Sequence, residues 1–443
     1  MLFLISLFII VLIAVLDSSA ASLIFGVGMY GIGAFLSLIG TGGGCKMRLG
    51  LYNRVFLIYF ILAYIVSLSF NITDNFIVSD SSRYIDSYMY RTSFAFGNDD
   101  FIKCYLGLAD NNFLYNAYLN VMAMFANTYL GEMTVFGMTL CQTIWGVLSS
   151  LVLFRILARH IDVNKALKYT MAFACCSLFL FYSTVIIRDI IICFLYLCAF
   201  DIIDQKFSVA GLVELVLIML ITWGIRLYSG VFLASFIAYY VYIRCRNSRL
   251  RYIATFFLMV VLLYAVLAIF SSSLMEQTVT ELNGYEEFSA ERSAGGVLSK
   301  LQSLPPGINY FSIVLYSMVR PLPPLGIYIG VNSFSNFIMA TMCLIAGFFW
   351  FVVFYSLFYQ LFIKKYISKF PFERILLLVI CFVFMMANAT HPDLRRMLPV
   401  YPILFVLFVD ICKMENETLF GSRISKKLIT LYIVLVIVLL PLI

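Results

Sequence analysis

The sequence predicts an all-α polytopic integral membrane protein with about thirteen transmembrane helices and two long outer loops. Three observations predict it. Of 443 residues, 63% are hydrophobic and only 12% are charged, whereas a soluble domain runs nearer half apolar and a quarter charged. The mean hydropathy is +1.00, which leaves more apolar surface than a water-soluble chain of this size can hide. The apolar residues also fall in runs of bilayer-crossing length separated by basic turns. The same figures exclude a soluble enzyme, a nucleic-acid-binding module and a disordered chain. The net charge of +7 describes loops at a membrane surface and gives no reason to expect a nucleic-acid partner.

The runs are 2–16, 20–40, 55–72, 133–154, 169–187, 190–204, 208–224, 229–243, 252–270, 336–363, 375–390, 397–412 and 428–443. They use roughly 260 positions at about 20 residues each, so 1–443 reads as one transmembrane domain with no room for a large soluble one. The first run has no lysine or arginine ahead of it and the second follows at once. It therefore reads as an uncleaved span and not as a secretory signal. With the amino terminus assigned to the cytoplasm, the inward-facing loops hold 20 of the 30 lysines and arginines, as the positive-inside rule requires. The last run is long enough only for a short or tilted span. The eleven cysteines form no CxxC pair and sit mostly in apolar runs, as Cys175 and Cys176 do. They read as small buried hydrophobes, and no metal or cofactor is expected.

The outer loops run from 73 to 132 and from 271 to 335. Loops of this length are functional or disordered. Each holds an apolar stretch, Phe113 to Leu130 in the first and Ile308 to Val319 in the second. Both stretches are expected to fold back as interfacial or re-entrant helices.

The outward-facing cations are eight arginines and two lysines, whereas the inward-facing ones divide equally. Topology alone does not ask for outer arginine. Guanidinium forks bind phosphate in bidentate fashion and tolerate partial burial, so the set points to a phosphate-bearing or acidic ligand. Snorkelling and salt bridges with outer acids are the competing account.

Arg188 and Asp189 end one run and begin the next with no polar loop between. Ionisable residues at that depth are costly and often functional, unless the two merely pair and mark the turn. Arg226 occupies the mirrored place one hairpin later, so Arg188 and Arg226 are expected to clamp one anionic group. Arg320 is stiffened by the prolines that follow it. His391, the one outer histidine, has Asp393, Arg395 and Arg396 beside it, a setting for a general base or a hydrogen bond to ligand. In the first loop Asp80, Arg83, Tyr84, Asp86 and Arg91 combine charged forks with flat aromatic faces of the kind that grip sugars, and a carboxylate there is placed to deprotonate a sugar hydroxyl. Glu214 is read as the one acid inside a span. His160 falls in a cytoplasmic loop and is expected to be inert.

These residues resemble a family. An acid-Arg-Tyr outer loop follows the third span, then an asparagine-bearing stretch (Asn116, Asn120), the span-end Arg188, a hairpin with a polar outer end, a second long outer loop and an outer Arg-Arg motif before a late span. The layout is similar to that of bacterial O-antigen and exopolysaccharide polymerases of the Wzy and EpsG type. The chain departs from it in carrying Asp189 where such proteins often have glutamine, and Arg226 where they have histidine. Arg320 and Gly330 are one residue short of an arginine-to-glycine motif seen in some of them.

The resemblance implies a fold like that of C-type membrane glycosyltransferases, metal-independent and without a cofactor, in the bacterial inner membrane with its active face periplasmic. It implies polymerisation of oligosaccharide repeats linked to undecaprenyl pyrophosphate, which serve as donor and acceptor, with membrane lipid and a chain-length regulator as candidate partners. In that reading Arg188, Arg226, Arg320, Arg395 and Arg396 hold the pyrophosphate and stabilise the leaving group. His391, Asp80 or Asp86 activates the acceptor hydroxyl, and Arg83, Tyr84, Arg91 and Asp393 contact sugar. Two other classes stay open: a flippase or transporter of lipid-linked oligosaccharide, and an O-antigen ligase or other lipid-sugar glycosyltransferase.

Overall fold

A chain in hydrocarbon has no water to satisfy its backbone, and a helix satisfies that backbone internally. The computed structural model describes residues 2–40, 44–70, 79–93, 112–244, 249, 252–253, 255, 301, 304–305, 308–317, 334–388, 394–414 and 423–439, and among them every regular element is helical. The helices are α1 (Leu2–Leu16), α2 (Ala20–Ile39), α3 (Cys45–Phe70), α4 (Ser79–Tyr88), α5 (Phe113–Tyr129), α6 (Val135–His160), α7 (Val163–Cys176) and α8 (Leu178–Ser183). There follow α9 (Asp189–Ile203), α10 (Val209–Ile225), α11 (Leu227–Arg244), α12 (Ile308–Ser317), α13 (Phe334–Phe358), α14 (Phe372–Asn388), α15 (Tyr401–Met414) and α16 (Arg423–Leu439). A π-helical turn, Tyr359–Ile363, extends α13, and a 3-10 helix, Leu394–Val400, leads into α15.

Among the described residues six helical stretches are long and apolar enough to cross a membrane: Ala20–Ile39, Cys45–Leu68, Val135–His160, Leu227–Arg244, Phe334–Ile363 and Met397–Met414. The chain is thus a polytopic α-helical membrane protein. Phe3–Leu16 and Val209–Ile225 are apolar but shorter. All but 252–253 and 255 of the expected span at 252–270, and most of the loop at 271–335, lie outside the described residues. Both expected loop helices form, as α5 and α12.

Polar residues ahead of the apolar runs start the helices, because their oxygens accept backbone N–H groups the first turn leaves unpaired. Thr134 caps α6 through Gly137 N at 3.0 Å, and Ser208 caps α10 through Gly211 N at 2.9 Å. The centre of the bundle is α6, which packs against α2, α3, α7 and α9. Gly146 makes a further contact possible, with α8. A Cβ there would lie 2.2 Å from Ser183 Oγ, so only glycine lets α8 approach α6 so closely.

The apolar run 169–187, expected as one span, is not one helix. It breaks at Ser177, where α7 ends and α8 begins, and again after Ser183. Thr184, Val185, Ile186 and Ile187 form irregular backbone that is at most 2% exposed. Hydropathy cannot register such a break, because every residue in it is apolar or a short hydroxyl. The hydroxyls are its physical cause. Ser177 Oγ accepts from Phe179 N at 3.2 Å, Ser183 Oγ donates to Phe179 O at 2.6 Å, and Thr184 Oγ1 donates to Phe181 O at 2.8 Å. Local bonds of this kind compete with the helical ladder. The freed carbonyls find partners on other elements: Thr143 Oγ1 donates to Ser183 O at 3.1 Å and Ser81 Oγ donates to Ile186 O at 2.9 Å. Non-helical backbone at this depth is tolerated where protein encloses it.

Candidate functional site

The break delivers Arg188 and Asp189 to the start of α9. Asp189 is 1% exposed and Arg188 half-buried. Arg226 joins α10 to α11 and is 6% exposed. Its Nη1 lies 2.6 Å from Asp189 Oδ1. This bears on two expectations. Asp189 does not simply mark the turn with its neighbour Arg188, because its carboxylate reaches across to the next hairpin. Arg226 already faces Asp189, so an anion held between Arg188 and Arg226 has to share its guanidinium with that carboxylate or displace it.

The first long loop covers this corner. Ser81 on α4 binds the break through Ile186 O, and Tyr84, 5% exposed, meets the Tyr115 ring edge-on at a centroid distance of 4.9 Å. Arg83, Asp86 and Arg91 are exposed, and Arg91 Nε donates to Ser87 O at 3.0 Å. Asp80 lies in α4, and Arg395 and Arg396 lie in the 3-10 helix, with their side chains outside the described residues; Arg320, His391 and Asp393 lie wholly outside them. The backbone of Leu394–Val400 packs on α9, α14 and α15, with Cys193 Sγ 3.6 Å from Leu398 O. The first loop thus meets the Arg188 break through Ser81, and the Arg-Arg segment packs on α9, the helix that the break begins.

Polar groups without partners gather near the same corner. Tyr115 OH, Asn120 Oδ1 and both amide atoms of Gln142 are buried with no hydrogen-bond partner among the described residues. Each such group costs about 1–3 kcal/mol unless it is satisfied. Gln142 lies on α6 between Trp145, whose ring meets Phe194, and Gly146, which abuts Ser183. That face looks onto the α8–α9 junction.

The opposite end of α9, about 22 Å away for a helix of 15 residues, carries an ion network the sequence reading missed. His160 is its hub. His160 Nε2 lies 2.9 Å from Asp204 Oδ2 and Nδ1 lies 3.0 Å from Asp410 Oδ1. Arg374 reaches Asp204 and Asp410, each at 3.3 Å. Arg159 meets Asp201 at 2.8 Å and Asp204 at 3.1 Å, and Arg155 also pairs with Asp201. The network ties α6, α9, α14 and α15 together, so His160 is not the inert loop residue expected.

Glu214 was not the one acid inside an apolar run either, since Asp201 and Asp410 fall within 190–204 and 397–412. Their spacing from a helix end that also gathers arginine was the legible signal. A cavity of about 500 Å³ at this end is lined by Arg155, Asp201, Lys206, Glu214 and Tyr240.

At 26 residues, α6 would run about 39 Å, and its apolar part ends at Phe154, so Arg155 to His160 project beyond a hydrocarbon core of about 30 Å. Burial works against the charge on His160, but hydrogen bonds to Asp204 and Asp410 and the charges of those acids outweigh it, raising the pKa to about 9. Burial likewise opposes ionised Asp204. The hydrogen bond from His160 and the charges of His160, Arg374 and Arg159 prevail and bring it to about 2.

In comparisons with known proteins, no family model, curated protein or solved structure matches this chain.

Proposed function

We propose that this protein is a membrane glycosyltransferase that polymerises oligosaccharide repeats carried on undecaprenyl pyrophosphate, at the periplasmic face of the bacterial inner membrane. The observation that carries the reading is the pairing of a buried, irregular α8–α9 junction with two arginines, Arg188 and Arg226, beneath a loop helix that presents Tyr84. Buried backbone irregularity at a helix end is a device that membrane proteins use at ligand sites. Two guanidinium groups at one depth suit a diphosphate, and the unpartnered amide and hydroxyl groups of Gln142, Asn120 and Tyr115 suit a ligand rich in hydroxyls.

In this reading the donor pyrophosphate lies against Arg188 and Arg226. The acceptor hydroxyl oxygen bonds to the donor's anomeric carbon, the bond from that carbon to the pyrophosphate oxygen breaks, and the arginines stabilise the departing charge. The hydroxyl proton passes to a base, for which Asp80, Asp86 and His391 are the candidates. Thirteen spans with an inward amino terminus, and independence from metal, belong to the same proposal. Arg188→Ala and Arg226→Ala are each expected to abolish long polymer in cells while the protein still inserts at normal levels. Wild-type chain length at normal protein levels in both variants overturns the reading.

A second reading, a flippase or transporter of lipid-linked oligosaccharide, draws on the cavity with Lys206 and Glu214 at the other end of α9. Deleting the gene separates the two. Loss of a polymerase leaves single-repeat surface caps, whereas loss of a flippase traps repeats on the cytoplasmic side.

A further inference from the structure

The Asp189–Arg226 pair has a consequence for which headgroup this corner accepts. Arg226 is 7% exposed in its side chain and Asp189 is 1% exposed, with 2.6 Å between Nη1 and Oδ1. A buried arginine that loses its paired anion is strongly unfavourable. A ligand can therefore engage Arg226 fully only by bringing anionic oxygens that replace or outcompete the carboxylate. Asp189 also follows Arg188 directly at the first turn of α9, so a ligand that spans Arg188 and Arg226 meets Asp189 beside it. A neutral or weakly charged headgroup gains little from that exchange. A headgroup with several phosphoryl oxygens gains two charge-assisted forks.

We infer that Asp189 is a specificity-determining internal anion, which occupies Arg226 until a lipid diphosphate displaces it and which discriminates against lipid monophosphates. The inference rests on the reading of Arg188 and Arg226 as a diphosphate site. Asp189 acts through Arg226 and is a positioning residue, not a catalytic one.

The test is calorimetric titration of the full-length protein in detergent micelles with two probes, farnesyl pyrophosphate and farnesyl monophosphate. Wild type is expected to prefer the pyrophosphate. Asp189→Asn keeps the size and one acceptor but removes the competing charge, and is expected to tighten both probes, the monophosphate by about tenfold and the pyrophosphate by less, so that the preference narrows. A residue that merely holds the fold together has no route to tighter binding. Equal or weaker binding in Asp189→Asn, with wild type binding the pyrophosphate, overturns this inference alone. No pyrophosphate binding by wild type overturns the diphosphate site and this inference with it. If Asp189→Asn does not fold, Arg226→Gln, whose side-chain amide can still donate to Asp189, is compared with Arg226→Gln/Asp189→Asn. Equal affinities within about twofold support action through Arg226, and a larger difference overturns it.

Discussion

Raising the pH should weaken this protein through the side chain of His160. Both of its ring nitrogens face carboxylates, Asp204 at 2.9 Å and Asp410 at 3.0 Å, and Arg374 and Arg159 are the cations that share those acids. A neutral imidazole has one N–H, so deprotonation takes the imidazole donor away from one carboxylate. The pKa is held at about 9 against an ordinary 6.5, which corresponds to about 3 kcal/mol of stability. Because the folded value lies above the unfolded one, this contribution is complete below about pH 6.5 and disappears as the pH climbs through about 9.

The assay is thermal unfolding in detergent micelles followed by tryptophan fluorescence, with Trp145, Trp223 and Trp350 as reporters. The wild-type midpoint is expected to fall between about pH 6.5 and about pH 9, by on the order of 3 °C for cooperative unfolding of a chain this long. His160→Gln does not titrate there, so it should start lower at about pH 6 by a similar amount and show a flatter slope across that window. Parallel slopes for the two proteins would refute the assignment of the network to a charged His160.

Other perturbations follow from the same geometry. Asp204→Asn leaves His160, Arg159 and Arg374 short of one shared anion, with an expected loss of about 3–5 kcal/mol, measured as a fall in folded protein recovered from membranes; Asp162→Ala, which removes only the α7 cap to Asn164 N and Lys165 N, should cost about 1 kcal/mol. Acid should also act on Asp204. Its folded pKa of about 2 lies below the ordinary 3.8, so its contribution is complete above about pH 3.8 and lost as the pH falls through about 2, and the wild-type melting midpoint should decline more steeply over that range than that of Asp204→Asn. Gly146→Ala places a methyl 2.2 Å from Ser183 Oγ and 2.6 Å from Ser183 Cβ; it should lower the melting midpoint, and Ser183→Gly in the same chain should restore most of it. Tyr59→Phe removes the hydroxyl that donates to Ala174 O at 2.8 Å near the end of α7, with an expected cost of about 1 kcal/mol in the same melt.

Much of the scaffold was legible in the residues because bilayer insertion depends on local composition. The runs 20–40, 133–154 and 208–224 became α2, α6 and α10 within a few residues, except that α6 continues through a charged turn to His160. The loop stretches at Phe113 and Ile308 became helices for the same reason. The break at 184–187 was not legible, since apolar residues satisfy hydropathy whether or not they are helical, and the hydroxyls that cause it are common inside spans. Tyr84 illustrates the mixed case. Its aromatic face was recognisable as a binding element, but its burial against Tyr115 depends on a helix some thirty positions later.

Composition by itself determined that this chain lives in a membrane as helices, and that arginine gathers where one apolar run meets the next. Only the tertiary structure decided which charge answers which. Asp189 answers Arg226 on the next hairpin, and Asp201, Asp204 and Asp410 close around arginines and a histidine from other helices. The physical reason is range. Insertion is a sum over consecutive side chains, whereas a buried ion pair depends on a few ångströms between residues tens to hundreds of positions apart, a distance that helix packing alone sets.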